Sequence, residues 1–343
     1  MVSAPKVVVC GSWGLGNPGD EAILGCIISG LRSCLRRIDV VALSFNPAHT
    51  SRHHGVKAAS NLLLGIADKL PLLRKSDLFI LGGGGLLQDY SSGLNIPHWM
   101  SNLCLATRMG IPTMLYGVGV EPIRFAFYRT QVSRALDEVD VVTVRDDESA
   151  KLLKSWGTTN EIHTTADPAW GMEHLVDGDG GYHIEPQAGK ELHDGPIIGI
   201  SLRQWLDLGF SIPRYLLPSY EPRVMGHETG LATNSKVNRF LNAIARLADT
   251  LVERVNARIV VLPMWQRADR PISLSFVDRI RHKRQVHLVR DQYSPLELVA
   301  AIREMDAFIG TRLHSLLFAA ISGTPFIAPV SYTHLRAHET VLD

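Results

Sequence analysis

The residues with the clearest potential for chemistry lie near the end of the chain, where Arg312 and His314 follow an apolar segment and a Gly310-Thr311 turn. The pattern predicts a strand that leads into a helix beginning near Arg312 and ending at Gly323. A helix N-terminus favours an anion because it carries unpaired N–H groups and a partial positive charge. Together with a guanidinium and a titratable imidazole, it indicates chemistry on a phosphate or a carboxylate. The structural alternative is that Arg312 pairs with a carboxylate of the protein and that His314 is a satisfied, half-buried histidine.

A glycine-rich loop, Gly11–Asp20, follows the first predicted strand. Its glycines allow the backbone to approach a ligand, while Asn17 is expected to bond locally and Asp20 to cap the next helix. The run from Gly14 to Gly19 matches the spacing of a dinucleotide-binding fingerprint. The next strand, however, ends in Leu43-Ser-Phe-Asn46, which offers no acid for a ribose, so a nicotinamide cofactor is not expected.

A second glycine run, Gly82–Gly85, follows a predicted strand over Asp77–Leu81. Because glycine loses much backbone entropy on folding, four in succession indicate either a special backbone shape with close ligand contact or a tight strand–helix turn. Gln88 and Asp89 come next and are candidates for binding sugar hydroxyls. For Asp89 a structural capping role is the alternative.

A basic residue, Arg145, stands at the predicted start of a helix, where it opposes the helix dipole. It therefore needs an anionic partner, which is either internal, with Asp167 as the candidate, or a ligand. In the second half of the chain, Arg203, Trp205 and Asp269 are candidates for the rim of a binding cleft.

The composition excludes several classes of function. The chain has 343 residues, 45% hydrophobic and 20% charged, with a net charge of +1, so bulk electrostatics predict neither nucleic-acid nor membrane-surface binding. The four cysteines have no paired spacing and predict neither disulfides nor zinc. No apolar run is long enough for a transmembrane helix, and no signal peptide is evident at the N-terminus. The expected location is the cytoplasm or the inner face of the membrane.

Strand and helix signals alternate along the chain, which predicts βαβ units and parallel sheets. The predicted domains are an N-terminal Rossmann-like domain over 1–172 with the glycine-rich loops, a linker over 173–194 and a C-terminal Rossmann-like domain over 195–330. The predicted fold class is thus α/β with two Rossmann-like domains facing each other across a cleft. Ligands are expected at the carboxyl ends of the strands.

Five motifs in order resemble the polysaccharide pyruvyl transferase family, and in particular its CsaB type, which pyruvylates a cell-wall polysaccharide precursor. The motifs are Asn17-Pro-Gly-Asp-Glu-Ala-Ile-Leu24, Gly82-Gly-Gly-Gly-Leu-Leu-Gln-Asp89, Val144-Arg-Asp-Asp-Glu-Ser149, Ala166-Asp-Pro168 and Gly310-Thr-Arg-Leu-His314. The resemblance implies a fold similar to GT-B glycosyltransferases and a transferase that moves a pyruvyl group from phosphoenolpyruvate to a sugar as a ketal. The sugar would belong to a lipid-linked or polymeric cell-wall or exopolysaccharide precursor, and neither a metal nor a cofactor is expected.

The resemblance also implies roles for individual residues. His314 would be the general acid, and the donor-binding residues would be Arg145, Arg312, Thr311 and Gly310. The acceptor or cleft candidates are Asn17, Asp20, Gly84, Gly85, Gln88, Asp89, Arg203, Trp205 and Asp269.

The last thirteen residues, 331–343, depart from the family, whose members usually continue with a lysine-containing segment that helps to bind the donor. This segment has no lysine and is expected to be a non-native tail. Two alternatives to the leading function follow: a GT-B glycosyltransferase that uses a nucleotide sugar, and a truncated, inactive member of the family.

Overall fold

A computed structural model describes residues 4–62, 66–89, 92–176, 195–203 and 235–329. Trp205, most of the expected linker and the expected non-native tail lie outside these residues. The described chain divides into two units, and the boundary in the sequence lies between Gly171 and Met172.

The first unit is built on a seven-stranded parallel sheet with the order β3-β2-β1-β4-β5-β6-β7. Its strands are β1 (Lys6–Cys10), β2 (Asp39–Ser44), β3 (Lys57–Ser60), β4 (Leu78–Leu87), β5 (Thr113–Val120), β6 (Val141–Val144) and β7 (Ile162–Thr164). The order reverses between β1 and β4, and open α/β sheets bind ligands at the carboxyl ends of strands near such a reversal.

Helices connect the strands of the first unit. They are α1 (Pro18–Cys34), α2 (Pro47–His54), α3 (Ile66–Leu73), α4 (Asn95–Arg108), α5 (Ala126–Leu136) and α6 (Asp147–Ser155), followed by a 3-10 helix (Pro168–Met172). Apolar residues of the strands and of α4 to α6 form a continuous core, which is why the central strands β1, β4 and β5 consist largely of buried apolar residues.

The glycine run differs from the expectation, because β4 continues through Gly82–Gly85 to Leu87 rather than ending before it. The run pairs with β5, Gly82 with Tyr116 and Gly84 with Val118, and these sheet contacts outweigh the low strand preference of glycine. The pairing of β4 with β5 shifts between Gly84 and Leu87, which indicates a bulge.

Helix α1 begins earlier than predicted, at Pro18, and Asn17 rather than Asp20 is its N-cap. The Asn17 side chain accepts a hydrogen bond from the Gly19 amide at 3.3 Å, and Asp20 lies within the first turn. The physical reason is the Asn-Pro pair, since asparagine is favoured at the cap and proline at the first helical position.

The second unit contains a five-stranded parallel sheet with the order β10-β9-β8-β11-β12. Its strands are β8 (Ile197–Ser201), β9 (Arg258–Val261), β10 (Val286–Leu288), β11 (Ala307–Gly310) and β12 (Phe326–Ile327). Its helices are α7 (Glu173–Val176), α8 (Ser235–Val255), α9 (Gln266–Arg279), α10 (Pro295–Arg303) and α11 (Leu313–Ser322), with a 3-10 turn at Lys283–Gln285.

The predicted strand, turn and helix around Arg312 are present in this unit. Arg312 occupies the N-cap position of α11, and Gly323 ends the helix in the left-handed conformation. No helix in the described part of the chain is both long and apolar enough to cross a bilayer.

Candidate active site

Polar residues of the second unit gather beyond the carboxyl ends of three adjacent strands. Arg203 follows β8, Trp265 follows β9 and Arg312 follows β11, and β8 lies between the other two strands in the sheet. This is the edge where parallel α/β sheets bind ligands. The structure therefore brings together residues that are up to 109 positions apart in the sequence.

The central contact of this cluster is a bidentate ion pair between Arg312 and Asp269. Arg312 donates from Nε to Asp269 Oδ2 at 2.6 Å and from Nη2 to Oδ1 at 2.5 Å. The Asp269 carboxylate is fully buried, whereas the Arg312 side chain is 14% exposed. Asp269 Oδ2 also accepts the backbone N–H of Trp265 at 3.0 Å, and the Trp265 ring lies 5.8 Å from the guanidinium carbon. The guanidinium is thus held in one orientation by an acid and a ring.

Two interpretations of Arg312 were open: that it binds an anionic ligand, or that it pairs with a carboxylate of the protein. The carboxylate partner exists, and it is Asp269. The pairing uses only one edge of the guanidinium, because Nη1 has no acceptor among the residues that the structure describes. Asp269, expected on the rim of the cleft, acts through Arg312 and has no exposed surface of its own.

Thr311 ties two strand ends of the cluster together. Its hydroxyl donates to the Ser201 carbonyl at 3.3 Å and accepts the Arg203 amide at 2.6 Å. Gly310 precedes it at a position where a Cβ would lie 2.6 Å from Ser315 Oγ, so the start of the helix packs directly on the strand end. Both residues therefore have a demonstrable structural role in addition to the donor-binding role expected of them.

His314 lies in the first turn of α11 and is half-buried. Its ring centroid is 6.4 Å from that of Phe318, one turn further along the helix. The N-terminus of α11 carries the partial positive charge of the helix dipole. The imidazole thus stands at a helix end of the kind that favours anions.

In the first unit, the glycine-rich loop is held mainly by contacts within the protein. The Gly14 amide donates to Glu21 Oε1 at 2.8 Å, and Glu21 Oε2 lies 2.8 Å from His54 Nε2. A Cβ on Gly14, whose φ is +84°, would lie 2.3 Å from Ser44 Oγ. Although burial opposes it, the hydrogen bonds from His54 and from the Gly14 amide lower the pKa of Glu21. No local pattern in the sequence indicates that Glu21 holds this loop, since its partner His54 is 33 residues away.

Asp20 and the glycine run are brought together at the carboxyl end of β4. Asp20 Oδ2 accepts a hydrogen bond from the Asn17 side chain at 2.8 Å, and Asp20 Oδ1 is 3.3 Å from a Cβ position on Gly84. The equivalent position on Gly85 is 3.8 Å from a carboxylate oxygen of Glu121. Glu121 is a further polar residue at this edge and belongs to none of the motifs. Its position directly after β5 is the sequence feature that indicates it, because ligands bind at the carboxyl ends of strands.

Gln88 and Asp89 follow β4, and each is 6% exposed. Asp89 Oδ2 accepts the backbone N–H of Arg124 at 2.8 Å, whereas its Oδ1 is buried and has no hydrogen-bond partner in the described chain. A buried carboxylate oxygen without a donor is costly, which makes it a candidate to receive a hydrogen bond from a ligand. Asp89 does not cap a helix, so its structural alternative is a loop contact.

Arg145 pairs with carboxylates of the protein, which was one of the two alternatives for a basic residue at a helix start. Nη1 contacts Asp167 Oδ2 and Nε contacts Asp146 Oδ2, both at 3.3 Å, and the side chain is 4% exposed. The guanidinium packs on Gly119, where a Cβ would lie 2.4 Å from Cζ. Asp146 also caps α6 by accepting the Ser149 amide at 2.7 Å. No cluster of metal-ligating side chains occurs among the described residues.

Comparison with solved structures supports the fold. A putative UDP-N-acetylglucosamine 2-epimerase from Listeria monocytogenes superposes with a TM-score of 0.59 at 12% identity, covering 95% of this chain and 79% of that one. MnaA of S. aureus in complex with UDP gives 0.58 at 12% identity, covering 98% and 82%. These similarities extend over both units and confirm the predicted GT-B-like α/β fold class, and at this identity they inform on fold alone.

Comparison of sequences gives both a relative and a matching family model. The amylovoran biosynthesis protein AmsJ of Erwinia amylovora is 23% identical over 268 residues, which are 76% of this chain and 58% of AmsJ. The chain thus spans less than two thirds of that relative. The family model for polysaccharide pyruvyl transferase matches residues 17–334, from the cap of α1 to beyond β12. This match includes every motif on which the resemblance depended, and the chain therefore belongs to the polysaccharide pyruvyl transferase family.

Proposed function

We propose that the protein transfers the pyruvyl group of phosphoenolpyruvate to a sugar of a cell-wall or exopolysaccharide precursor and releases inorganic phosphate. The observation that carries this proposal is that an oriented guanidinium, that of Arg312, and an imidazole, that of His314, both lie at the N-terminus of α11. Arg312 keeps one edge of its guanidinium beyond its pair with Asp269, and the helix end adds partial positive charge. A small donor with a phosphate and a carboxylate suits such a place.

In this proposal the Nη1 edge of Arg312 and the positive end of the α11 dipole hold the anionic groups of the donor. His314 gives a proton to the methylene carbon of the enol, which leaves positive charge on the carbon that carries the phosphate. A sugar hydroxyl oxygen attacks that carbon and loses its proton, and the carbon–oxygen bond to phosphate breaks. Attack by a second hydroxyl closes the ketal, so that of the two hydroxyl protons one replaces the proton given by His314 and one leaves with phosphate.

We assign the acceptor sugar to the first unit, where Asp89, Gln88 and Asp20 lie at the carboxyl end of β4. Asp89 Oδ1 supports this assignment because it is buried without a donor and can accept a hydrogen bond from a sugar hydroxyl. Asn17, Gly84 and Gly85 belong to the same edge, and Arg203 remains a cleft candidate of the second unit.

Arg145 enters the proposal as a second donor-binding cation on the strength of the family resemblance. Binding of an anion there would require the guanidinium to exchange one of its two carboxylates, Asp146 or Asp167. Arg145→Lys, which keeps the charge and loses the second ion-pair contact, would then weaken donor binding.

The test is titration calorimetry of the protein with phosphoenolpyruvate, combined with an assay of phosphate release in the presence of acceptor. Arg312→Ala should weaken donor binding about 10- to 100-fold, as expected for loss of a charged hydrogen bond. His314→Gln should retain donor binding and lower the rate of phosphate release about 100-fold or more. Arg303→Ala, which removes an exposed arginine at the end of α10, is the matched control and should leave both quantities unchanged.

Two outcomes would contradict the proposal. If the wild-type protein bound a UDP-sugar and not phosphoenolpyruvate, the glycosyltransferase alternative would replace it. If Arg312→Ala and Arg303→Ala bound the donor equally well, the donor site would have to lie elsewhere.

A further inference from the structure

A buried hydroxyl group at the end of β8 forms no hydrogen bond within the described chain. Ser201 is the last residue of β8 and is 0% exposed. Its backbone carbonyl accepts hydrogen bonds from the amide and the hydroxyl of Thr311, whereas its side-chain oxygen has no partner among the residues that the structure describes. Because a buried polar group without a partner costs stability, this hydroxyl needs an explanation.

Ser44 shows how a serine at an equivalent position is satisfied. It is the last residue of β2 in the first unit and is also 0% exposed. Its side-chain oxygen lies 2.7 Å from Thr50 Oγ1 and 3.4 Å from the Trp13 carbonyl oxygen, and it accepts the Asn46 amide at 3.0 Å. Two serines with the same burial and the same place in a strand thus differ in whether the hydroxyl is bonded.

The Ser201 side chain lies on the face of the second sheet that α11 covers. Ser201 is the register partner of Gly310 on β11, and register partners on parallel strands project to the same face. A Cβ on Gly310 would lie 2.6 Å from Ser315 Oγ and 2.7 Å from Leu316 Cδ2, both on α11. Ile200 projects to the opposite face, into the apolar core formed with α8 and α9. The Ser201 hydroxyl therefore lies on the side of the strand end where α11 begins.

The other hydroxyl groups at this strand end are already engaged. Ser315 Oγ donates to the Arg312 carbonyl at 2.7 Å. The Thr311 hydroxyl donates to the Ser201 carbonyl and accepts the Arg203 amide. The hydroxyl of Ser201 is thus left available to a ligand.

A ligand at this position would be an anion. The N-terminus of α11 carries partial positive charge, and the Arg312 guanidinium lies at the same helix end. A serine hydroxyl has one proton to donate, and a charged oxygen is the acceptor that binds it most strongly. The Arg312 side chain is itself only 14% exposed, so an anion bound to it would be largely enclosed by the protein.

We propose that Ser201 is a further donor-binding residue, whose hydroxyl donates a hydrogen bond to a negatively charged oxygen of phosphoenolpyruvate. This assignment rests on the proposed function, since it takes phosphoenolpyruvate as the anion at the N-terminus of α11. The unbonded hydroxyl lowers the stability of the free protein and increases its affinity for the donor. Such an exchange of stability for binding is typical of functional sites.

The test combines titration calorimetry with phosphoenolpyruvate and urea unfolding of the unliganded protein. Ser201→Ala should raise the dissociation constant about tenfold, as expected for loss of a hydrogen bond to a charged group. The same variant should unfold at a higher urea concentration than the wild type, because it removes a buried hydroxyl that has no partner. A purely structural role would instead lower the unfolding midpoint together with the affinity.

Ser44→Ala is the matched control. It removes a bonded hydroxyl, so its unfolding midpoint should fall, and it should bind phosphoenolpyruvate as the wild type does because Ser44 belongs to the first unit. The assignment is overturned if the unfolding midpoint of Ser201→Ala falls as that of Ser44→Ala does. Equal binding of phosphoenolpyruvate by the wild type and Ser201→Ala refutes this assignment alone, whereas a wild type that does not bind phosphoenolpyruvate refutes the proposed function and this assignment together.

Discussion

Asp269 has no exposed surface, yet its carboxylate faces the guanidinium of Arg312 at the N-terminus of α11. Both of its oxygens already accept hydrogen bonds, from Arg312 and from the Trp265 amide. Its effect on the site must come through the orientation of Arg312, which in turn decides where Nη1 and the helix amides point. Asp269 is therefore a positioning residue in the proposed mechanism.

Replacement of Asp269 by asparagine should lower the free energy of unfolding by about 3 kcal/mol, because it leaves a guanidinium in a mostly buried place without its counter-ion. The estimate is at the low end of the range for buried pairs, since Arg312 keeps some contact with water. Urea unfolding at neutral pH measures the change. The double replacement Asp269→Leu with Arg312→Met should recover most of the stability, whereas an asparagine variant as stable as the wild type would show that the ion pair contributes nothing.

His98, on α4, provides a prediction about pH. Burial, and to a smaller degree the nearby Lys69 ammonium, lower the pKa of His98 from 6.5 to about 3. The ring is 1% exposed, with the Phe45 ring centroid at 5.6 Å and the Trp99 ring centroid at 4.6 Å. The folded protein thus holds a neutral imidazole where the unfolded chain would bind a proton.

The sign of the effect follows from this difference. Above pH 6.5 His98 is neutral in both the folded and the unfolded state, so it costs no stability. Below that pH the unfolded chain binds a proton at His98 and the folded protein does not, which favours the unfolded state. The free energy of unfolding should therefore fall with decreasing pH, by up to about 1.4 kcal/mol per unit, until the folded pKa near 3 is reached. Urea unfolding between pH 7.5 and 4 should show a steeper loss for the wild type than for His98→Gln. His163→Gln, at a ring that is 51% exposed, is the control and should behave as the wild type.

At the scale of the element, the glycine run in β4 is explained by the packing of α1. Gly83 has a φ of +63°, and a Cβ there would lie 2.0 Å from Ile23 Cγ2. The helix approaches the strand so closely that no side chain fits between them. Close packing of α1 on β4 also brings Asp20 to Gly84, so the glycines serve the site indirectly.

Gly83→Ala should destabilise the protein by about 3 kcal/mol or more, because left-handed backbone strain and overpacking against Ile23 add together. Gly85→Ala is the matched control two residues away. Gly85 has no positive φ, and its nearest neighbour is 3.8 Å from the Cβ position, so the change should stay within about 0.5 kcal/mol. Chemical denaturation of the two variants side by side measures the difference. Equal stabilities would mean that α1 can move away from β4 without cost.

At the scale of the whole molecule, the two units have separate parallel sheets and separate apolar cores. Substitutions that damage one core should therefore affect local opening mainly within that unit. In hydrogen–deuterium exchange, Gly83→Ala should raise the exchange of amides in β1, β4 and β5. The amides of β8, β9 and β11 should keep wild-type protection. An equal loss of protection in both units would show that the chain opens as one cooperative body.

Membership of the polysaccharide pyruvyl transferase family also belongs to this scale, since it depends on motifs spread over both units. Each motif alone has a structural explanation: Arg312 has Asp269, Arg145 has two carboxylates, and the glycines have α1. The order of the motifs along the chain is what indicates the family. The titration with phosphoenolpyruvate and the assay of phosphate release test the function that the family suggests.

Much was determined by the sequence alone, wherever the signal is local. Val141–Val144 is a strand because four β-branched residues are bounded by charged residues on both sides, and α10 starts at the Ser294–Glu297 capping box. Helix α11 begins and ends at the predicted residues because Gly323 can adopt the left-handed conformation that stops it. The alternation of such elements was sufficient to predict two parallel α/β sheets.

Only the tertiary structure decided what depends on neighbours distant in the sequence. Lys57–Ser60 lacks the β-branched residues of a typical strand and becomes β3 only by pairing with β2, and the glycine run is a strand only because it pairs with β5. The partner of Arg312 lies 43 residues away, and the donor to Asp89 lies 35 residues away. Residue types and motif order are properties of the chain, but hydrogen bonds and charge pairing at the site depend on distances that only packing sets.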